Sequence, residues 1–272
     1  MSSWIPGALA VPGDQRLIVP AYFYPSNNRW QDLCDRLYRQ LVSAVLVMNP
    51  SSGPGNARDD NYRSAVEYAR TRRQRVVGYV TTRNPANEIR PLAEIRAEID
   101  RYYTFYPGIG GVFFDEMSNN PDNRAKYQAF YTCAKGKSPT ALVVGNPGIP
   151  ATHGGPQDDG AWQVTSPAVA DVVVVFEGPW SRAAGDPATL PEYRTWSAPA
   201  WVTSRPAATF AHLVYESPNE TTTRSICTTS SRRNAGWIYV TPDRRPNPWD
   251  TPPSDTLIAS PTLRRRQVAA PD

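Results

Sequence analysis

Eight short apolar runs punctuate the chain, and most are separated by a longer amphipathic stretch. The runs are Leu17 to Tyr24, Ala44 to Met48, Val76 to Val80, Gly111 to Phe114, Leu142 to Val144, Val172 to Phe176, Ala200 to Thr203 and Trp237 to Val240. Each is continuous and rich in β-branched or aromatic residues, where a strand with one wet face would alternate. Each therefore reads as a parallel strand buried on both faces. Helix candidates fill the gaps at Trp30 to Gln40, Asn61 to Arg73, Pro91 to Thr104, Arg124 to Ala134, Ala207 to Glu216 and Glu220 to Ser230. In the second, Tyr62, Val66 and Ala69 share one face and Arg63, Glu67 and Arg70 another, as a 3.6-residue period requires. Strands alternating with helices over 272 residues predict an α/β chain folded as a (β/α)8 TIM barrel. A doubly wound open sheet is the alternative. The first βα loop carries no GxGxxG, which removes the dinucleotide-binding version of it.

This reading divides the chain into an N-terminal extension (1–15), the barrel (16–240) and a Pro/Arg-rich C-terminal tail (241–272), the last a surface strap or a disordered segment. A hydrophobic fraction of 40% supplies an ordinary globular core. Net charge is only +4 and demands no anionic partner. The lysines are Lys126, Lys135 and Lys137, so arginine carries nearly all the positive charge, in clusters at Arg70–Arg75, Arg232–Arg233 and Arg264–Arg266. No basic stripe interleaved with aromatics accompanies them, so no nucleic-acid partner is expected, and the first cluster reads as a solvated helix end. Cys34, Cys133 and Cys227 have neither CxxC nor metal-ligand spacing and read as small buried apolar side chains. His153 and His212 stand far apart without cysteine ligands, which speaks against a zinc site. His212 falls in a helix candidate, and His153 sits in a Gly/Pro-rich loop that could approach the mouth. No run of ~20 apolar residues is present and residues 1–13 lack a signal-peptide pattern, so no membrane partner is expected.

Chemistry is expected where the strands end. Gly110-Gly111-Val112-Phe113-Phe114 stops on the adjacent carboxylates Asp115 and Glu116, and Asp171-Val172-Val173-Val174-Val175-Phe176 stops on Glu177 before a glycine. A carboxylate at the end of a strand buried on both faces is partly desolvated, which is unfavourable unless it has partners or a use. The other strand ends supply Tyr24, Asn49, Thr81-Thr82, Asn146, Ser204 and Thr241, with Tyr22, Tyr79, Trp180, Trp201 and Tyr239 nearby. Acids, amides and aromatic faces on one rim suit a sugar. Glycosidic cleavage uses two carboxyl groups, ~5–5.5 Å apart for retention and ~6.5–9.5 Å for inversion. Neighbours on a strand point in different directions, so only one of Asp115 and Glu116 is expected to face the bond.

Seven segments in order, Val19–Pro25, Asn49–Gly55, Asn61-Tyr62, Val77–Thr82, Gly111–Glu116, Asn146–Gly148 and Val175–Glu177, resemble the spherulation-specific, spherulin-4-type family, glycoside hydrolase family 135. The resemblance covers roughly residues 16 to 240. It implies endo-cleavage of galactosaminogalactan at α-1,4-linked N-acetylgalactosamine by an extracellular, monomeric barrel without metal or organic cofactor. It also implies Asp115, Glu116 and Glu177 as the catalytic carboxylates. By analogy with retaining α-glycosidase barrels, Asp115 is the nucleophile, Glu177 the acid/base and Glu116 a supporting group. Tyr22, Tyr24, Asn49, Tyr79, Asn146, Trp180, Trp201 and Tyr239 are the expected substrate contacts. One departure falls after Thr82, where Arg83-Asn84-Pro85 replaces the further aromatic and arginine frequent in the family. Two other readings stand beside this one: a non-catalytic carbohydrate-binding barrel, and a divalent-metal enzyme that uses the same carboxylates as ligands and would lose activity to a chelator.

Overall fold

The strands β1 (Arg16–Ala21), β2 (Ala44–Met48), β3 (Arg75–Thr81), β4 (Gly111–Asp115), β5 (Leu142–Gly145), β6 (Val172–Pro179), β7 (Phe210–Tyr215) and β8 (Trp237–Val240) close into one barrel in sequence order. Every neighbouring pair is parallel, including β1 with β8. The helices are α1 (Arg29–Arg39), α2 (Asp60–Thr71), α3 (Leu92–Phe105), α4 (Arg124–Lys137), α5 (Ala200–Thr203), α6 (Glu220–Arg232) and α7 (Asp255–Ile258). This computed structural model describes residues 14–148, 161–166, 168–183, 186 and 191–267. His153 lies outside them.

The outer helices bury the faces that their periodicity dictates. On α1, Trp30, Leu33, Cys34 and Leu37 are buried at i, i+3, i+4 and i+7, and the Trp30 indole donates to the Phe23 carbonyl at 3.1 Å. Helix α2 starts at Asp59, whose carboxylate accepts from the amides of Asn61 and Tyr62 and satisfies two orphan donors. Cys34 and Cys227 are buried as expected, and Cys133 is half-buried.

Register partners in a parallel sheet share a face, which fixes what fills the barrel. Tyr79, Phe113, Val144 and Val172 are successive partners across β3 to β6, and the Tyr79 and Phe113 rings stack at 6.4 Å. On the outer face of β3, Gly78 leaves room for the Tyr102 ring of α3, whose hydroxyl donates to the Tyr79 carbonyl at 2.7 Å.

Two assignments from the sequence fail together. The strand expected at Ala200–Thr203 is helix α5, and the helix expected at Ala207–Glu216 contains strand β7. His212 is the reason. A histidine inside Phe210–Tyr215 mimics helical amphipathicity, yet here it is fully buried against Phe176, Tyr193 and Trp196, with Nδ1 2.9 Å from the Tyr193 hydroxyl. Burial holds its pKa down at about 3, so it packs as a neutral ring.

The segment after β8 lies against the barrel. Ser254 caps α7, whose Leu257 and Ile258 are buried, and Trp249 packs on Tyr215 and Tyr239. Leu263 then bridges to Gln15 and Arg265 to Val42, so residues 260–266 run beneath the starts of β1 and β2.

At Gly111, φ is +152° and a Cβ would overlap the Leu142 carbonyl on β5. Gly111→Ala is expected to destabilise the fold by at least about 2 kcal/mol, because backbone cannot give way as a flexible side chain can. Urea unfolding of the two proteins checks this, and equal midpoints would contradict it.

Candidate active site

The ladder between β4 and β5 continues past both strands and sets the centre of the mouth. Phe114 pairs with Gly145; the Asn146 amide then donates to the Phe114 carbonyl at 2.8 Å, and the Met117 amide to the Asn146 carbonyl at 2.9 Å. Asn146 therefore stands beside Asp115, on the strand between the two that carry the acids. Its Nδ2 donates to Asp115 Oδ1 at 2.8 Å and to Glu177 Oε2 at 2.7 Å. One amide nitrogen bridges the two carboxylates.

Glu177 arrives there through an irregularity in β6. Val173 pairs with Phe210 and Val174 with Ala211, but Phe176 pairs with His212, leaving Val175 as an extra residue. Before the bulge, Val172 and Val174 face inward; after it, Phe176 packs outward on Tyr193 and Trp196. Glu177, paired with Leu213, faces inward. Were β6 regular through Val175, alternation would send the carboxylate outward.

Glu116 goes elsewhere. Its φ is +56°, a left-handed turn that a side chain adopts only when its surroundings enforce it. The Arg83 Nε donates to the Glu116 carbonyl at 2.9 Å, with Thr82 Oγ1 3.1 Å from the same oxygen, and the Glu116 carboxylate takes the Thr81 hydroxyl. It lines a side groove with Ser52, Tyr79, Thr81, Arg83, Asn84, Pro85 and Asn87.

The paired acids differ in their donors. Burial raises both; the neighbouring Glu116 charge adds to the rise of Asp115, and the Asp115 charge to that of Glu177. Asp115 is drawn back by the Tyr79 hydroxyl, the Glu116 amide and Asn146, whereas Glu177 has Asn146 alone and is pushed up to about 7. This imbalance of donors favours the proton on Glu177 and the charge on Asp115. Burial, then Asp115, also raises the hydroxyls of Tyr22 and Tyr79, which keeps both neutral.

The structure thus brings Tyr22, Tyr79, Asp115, Asn146 and Glu177 together, with Tyr22 edge-on to Tyr79 at 5.6 Å. Other expected contacts sit apart from the pair. Tyr24 bonds Asp59 and Asn61 at the start of α2, and Asn49 Oδ1 accepts from the Gly53 amide within its own loop. The Trp180 ring lies against Tyr193. Trp201 belongs to α5 and is buried with Val173, Val175 and Phe210 outside the barrel, a consequence of the misplaced seventh strand. Tyr239 is fully buried against Trp249, its hydroxyl donating to the Thr251 carbonyl at 3.2 Å, so it is a core residue and not a rim contact. Two residues near the mouth escaped the sequence reading. Tyr215 ends β7 and feels the Glu177 charge; Trp249 packs edge-on to it at 5.9 Å and accepts the Tyr22 amide. Locating β7 correctly would have found Tyr215, whereas nothing short of the tertiary fold marks Trp249. Among the described residues, no group of three or more His, Cys, Asp or Glu converges as a metal site, and no helix is long and apolar enough to cross a membrane.

Comparison with known proteins gives a consistent neighbourhood. The sequence model of spherulation-specific family 4 matches residues 16–257. Spherulin-4 of Physarum polycephalum is 26% identical over 235 residues, covering 83% of this chain and 63% of its own length. The chain thus spans less than two thirds of that relative. Sph3 of Aspergillus clavatus, crystallised with GalNAc, superposes with a TM-score of 0.67 at 22% identity, covering 92% of this chain and 97% of the other. The ICChI chitinase of Ipomoea carnea follows more distantly, with a TM-score of 0.51 and 10% identity over 83% of this chain and 93% of its own. At these identities the superpositions establish a shared barrel.

The raised Glu177 has a consequence for stability. Its folded pKa, about 7, exceeds the ordinary 4.5 of an unfolded chain, so between these values the fold holds more protons and stability falls as pH rises. Glu177→Gln is expected to be more stable relative to wild type at pH 8 than at pH 4, by on the order of 2 kcal/mol. Urea titrations at both pH values test this, and an equal effect at the two would contradict a buried carboxylate.

Proposed function

The chain belongs to spherulation-specific family 4, and on that premise we propose that it is a glycoside hydrolase cleaving a polysaccharide of N-acetylgalactosamine, with Asp115 as nucleophile and Glu177 as acid/base. The observation that carries this reading is the Asn146 bridge between two carboxyl groups of unequal proton affinity. Since both oxygens bond one nitrogen, at 2.8 and 2.7 Å, their separation cannot exceed the sum of those contacts. So close an approach of the two nearest oxygens favours the narrower spacing of a retaining pair over the wider one of an inverting pair.

In the first step, the Asp115 carboxylate attacks the anomeric carbon while the Glu177 proton passes to the departing glycosidic oxygen. The glycosidic bond breaks and a glycosyl ester forms. Glu177, now a carboxylate, takes a proton from water, whose oxygen displaces Asp115 and restores both groups. Glu116 supports by position: its turn starts directly after Asp115, and its amide is one of the Asp115 donors. Tyr22 and Tyr79 offer neutral aromatic faces beside the pair. The sugar assignment draws on the family and on the GalNAc held by the Aspergillus relative. An extracellular setting and a monomeric state belong to the same proposal.

Purified galactosaminogalactan should release reducing ends with wild type, and Asp115→Asn and Glu177→Gln, shown folded by circular dichroism, should each lose at least about a thousandfold in kcat/KM. The rate should fall as pH rises through about 7, where Glu177 loses its proton, and should survive a chelator. Glycan binding without release by wild type would overturn the hydrolase reading in favour of a binding barrel.

A further inference from the structure

Opposite the acids, at the starts of β1, β2, β3 and β8, a cavity of about 450 Å³ is lined by Arg16, Arg73, Arg75, Arg264, Arg265 and Arg266, with Ser43, Ala44, Val45 and Trp237. Three separate parts of the chain contribute these guanidinium groups. The last three arrive because residues 260–266 are tied beneath the barrel, the Arg264 amide donating to the Gln15 carbonyl at 2.7 Å and the Arg266 amide to that of Leu41 at 2.8 Å.

Ordinary structural roles account for only two of the six. Arg265 donates to the carbonyls of Gln40 and Ser260 at 3.0 and 3.1 Å, and Arg266 to those of Arg72 and Tyr38 at 3.4 Å, tying down the C-terminal ends of α1 and α2. The guanidinium groups of Arg16, Arg73, Arg75 and Arg264 make no hydrogen bond or ion pair with any described residue. The Arg16 guanidinium lies 5.1 Å from the centre of the Trp237 ring, whose own N–H is committed to the Ala208 carbonyl. Burial and then repulsion from Arg264 and Arg75 lower the Arg16 pKa, with only the exposed Asp14 acting the other way. Four like charges, all solvent-exposed, thus gather round one concavity, and among them only Arg16 has a ring contact within the fold, on Trp237.

We propose that this face of the barrel binds a small anion carrying two or more phosphate groups. Guanidinium forks match phosphate oxygens two at a time. Four unpaired forks around so limited a volume require a ligand with several charges close together, which condensed phosphate supplies and a single carboxylate does not. The site lies at the strand ends remote from Asp115 and Glu177 and stands whatever sugar the mouth accepts.

The test is isothermal titration of inorganic tripolyphosphate into the full chain at about 0.15 M salt, where exposed charges are largely screened. Saturable binding at one per chain is expected. It should weaken at least about tenfold in Arg75→Gln/Arg264→Gln and in the single variant Arg73→Gln, and hardly at all in Arg58→Gln/Arg63→Gln, which removes equal charge from the α2 surface. Monophosphate should bind far more weakly. Absence of saturation, equal weakening in the control pair, or binding of an acidic polysaccharide at many chains per polymer without tripolyphosphate binding would each overturn the proposal.

Discussion

In a parallel barrel the direction of every side chain follows from its parity along the strand, so a carboxylate reaches the mouth only where parity permits. In β6 that parity changes at Val175, and the change turns Glu177 toward Asp115. The bulged strand remains covered because both outward residues at the irregularity find partners, Val175 beside Trp201 and Phe210, and Phe176 among Tyr193, Trp196 and His212. The buried neutral His212 and the α5 packing thus support the placement of an acid pair they never touch. A bulge next to a site commonly re-aims a side chain in this way.

Given that geometry, the chemistry is set by an imbalance of donors. Two buried carboxyl groups bonded to one amide cannot both stay ionised without a large electrostatic penalty. The Tyr79 hydroxyl and the Glu116 amide break the tie in favour of an ionised Asp115. The left-handed turn at Glu116 is part of the same device, since it follows Asp115 directly and is pinned through Thr81, Thr82 and Arg83. Arg83 therefore holds the end of the acid strand, and with Asn84 and Pro85 it lines the side groove.

The barrel was legible because its strands are uninterrupted apolar runs, and the acids because they end two of them. The same uniformity hid the bulge: Val172 to Phe176 carries no alternation from which an extra residue could be noticed. His212 broke the seventh run and moved it to Ala200–Thr203, which drew Trp201 into the expected site and left Tyr215 out. Trp249 was assigned to a tail, and only the closed fold shows that tail packing beside the mouth. Asn146 was named as a sugar contact from its place after a strand; that its amide joins the two acids depends on the extended β4–β5 ladder, which no local pattern records.

Charge is divided between the two ends of the barrel, acids where strands finish and unpaired arginines where they begin. The six residues of β1 alone rise about 20 Å, well beyond a screening length of ~8 Å at physiological salt. The groups that act on the two acids are correspondingly local: Tyr79, Asn146 and Glu116 on Asp115, and Asp115 and Asn146 on Glu177, with no arginine among them. The proton affinity of the acid pair is therefore a property of three adjacent strands and one tyrosine. An anion held among the arginines would relieve repulsion at its own end and leave the proton affinity of the acid pair unchanged, so the two ends can serve separate ligands on one scaffold.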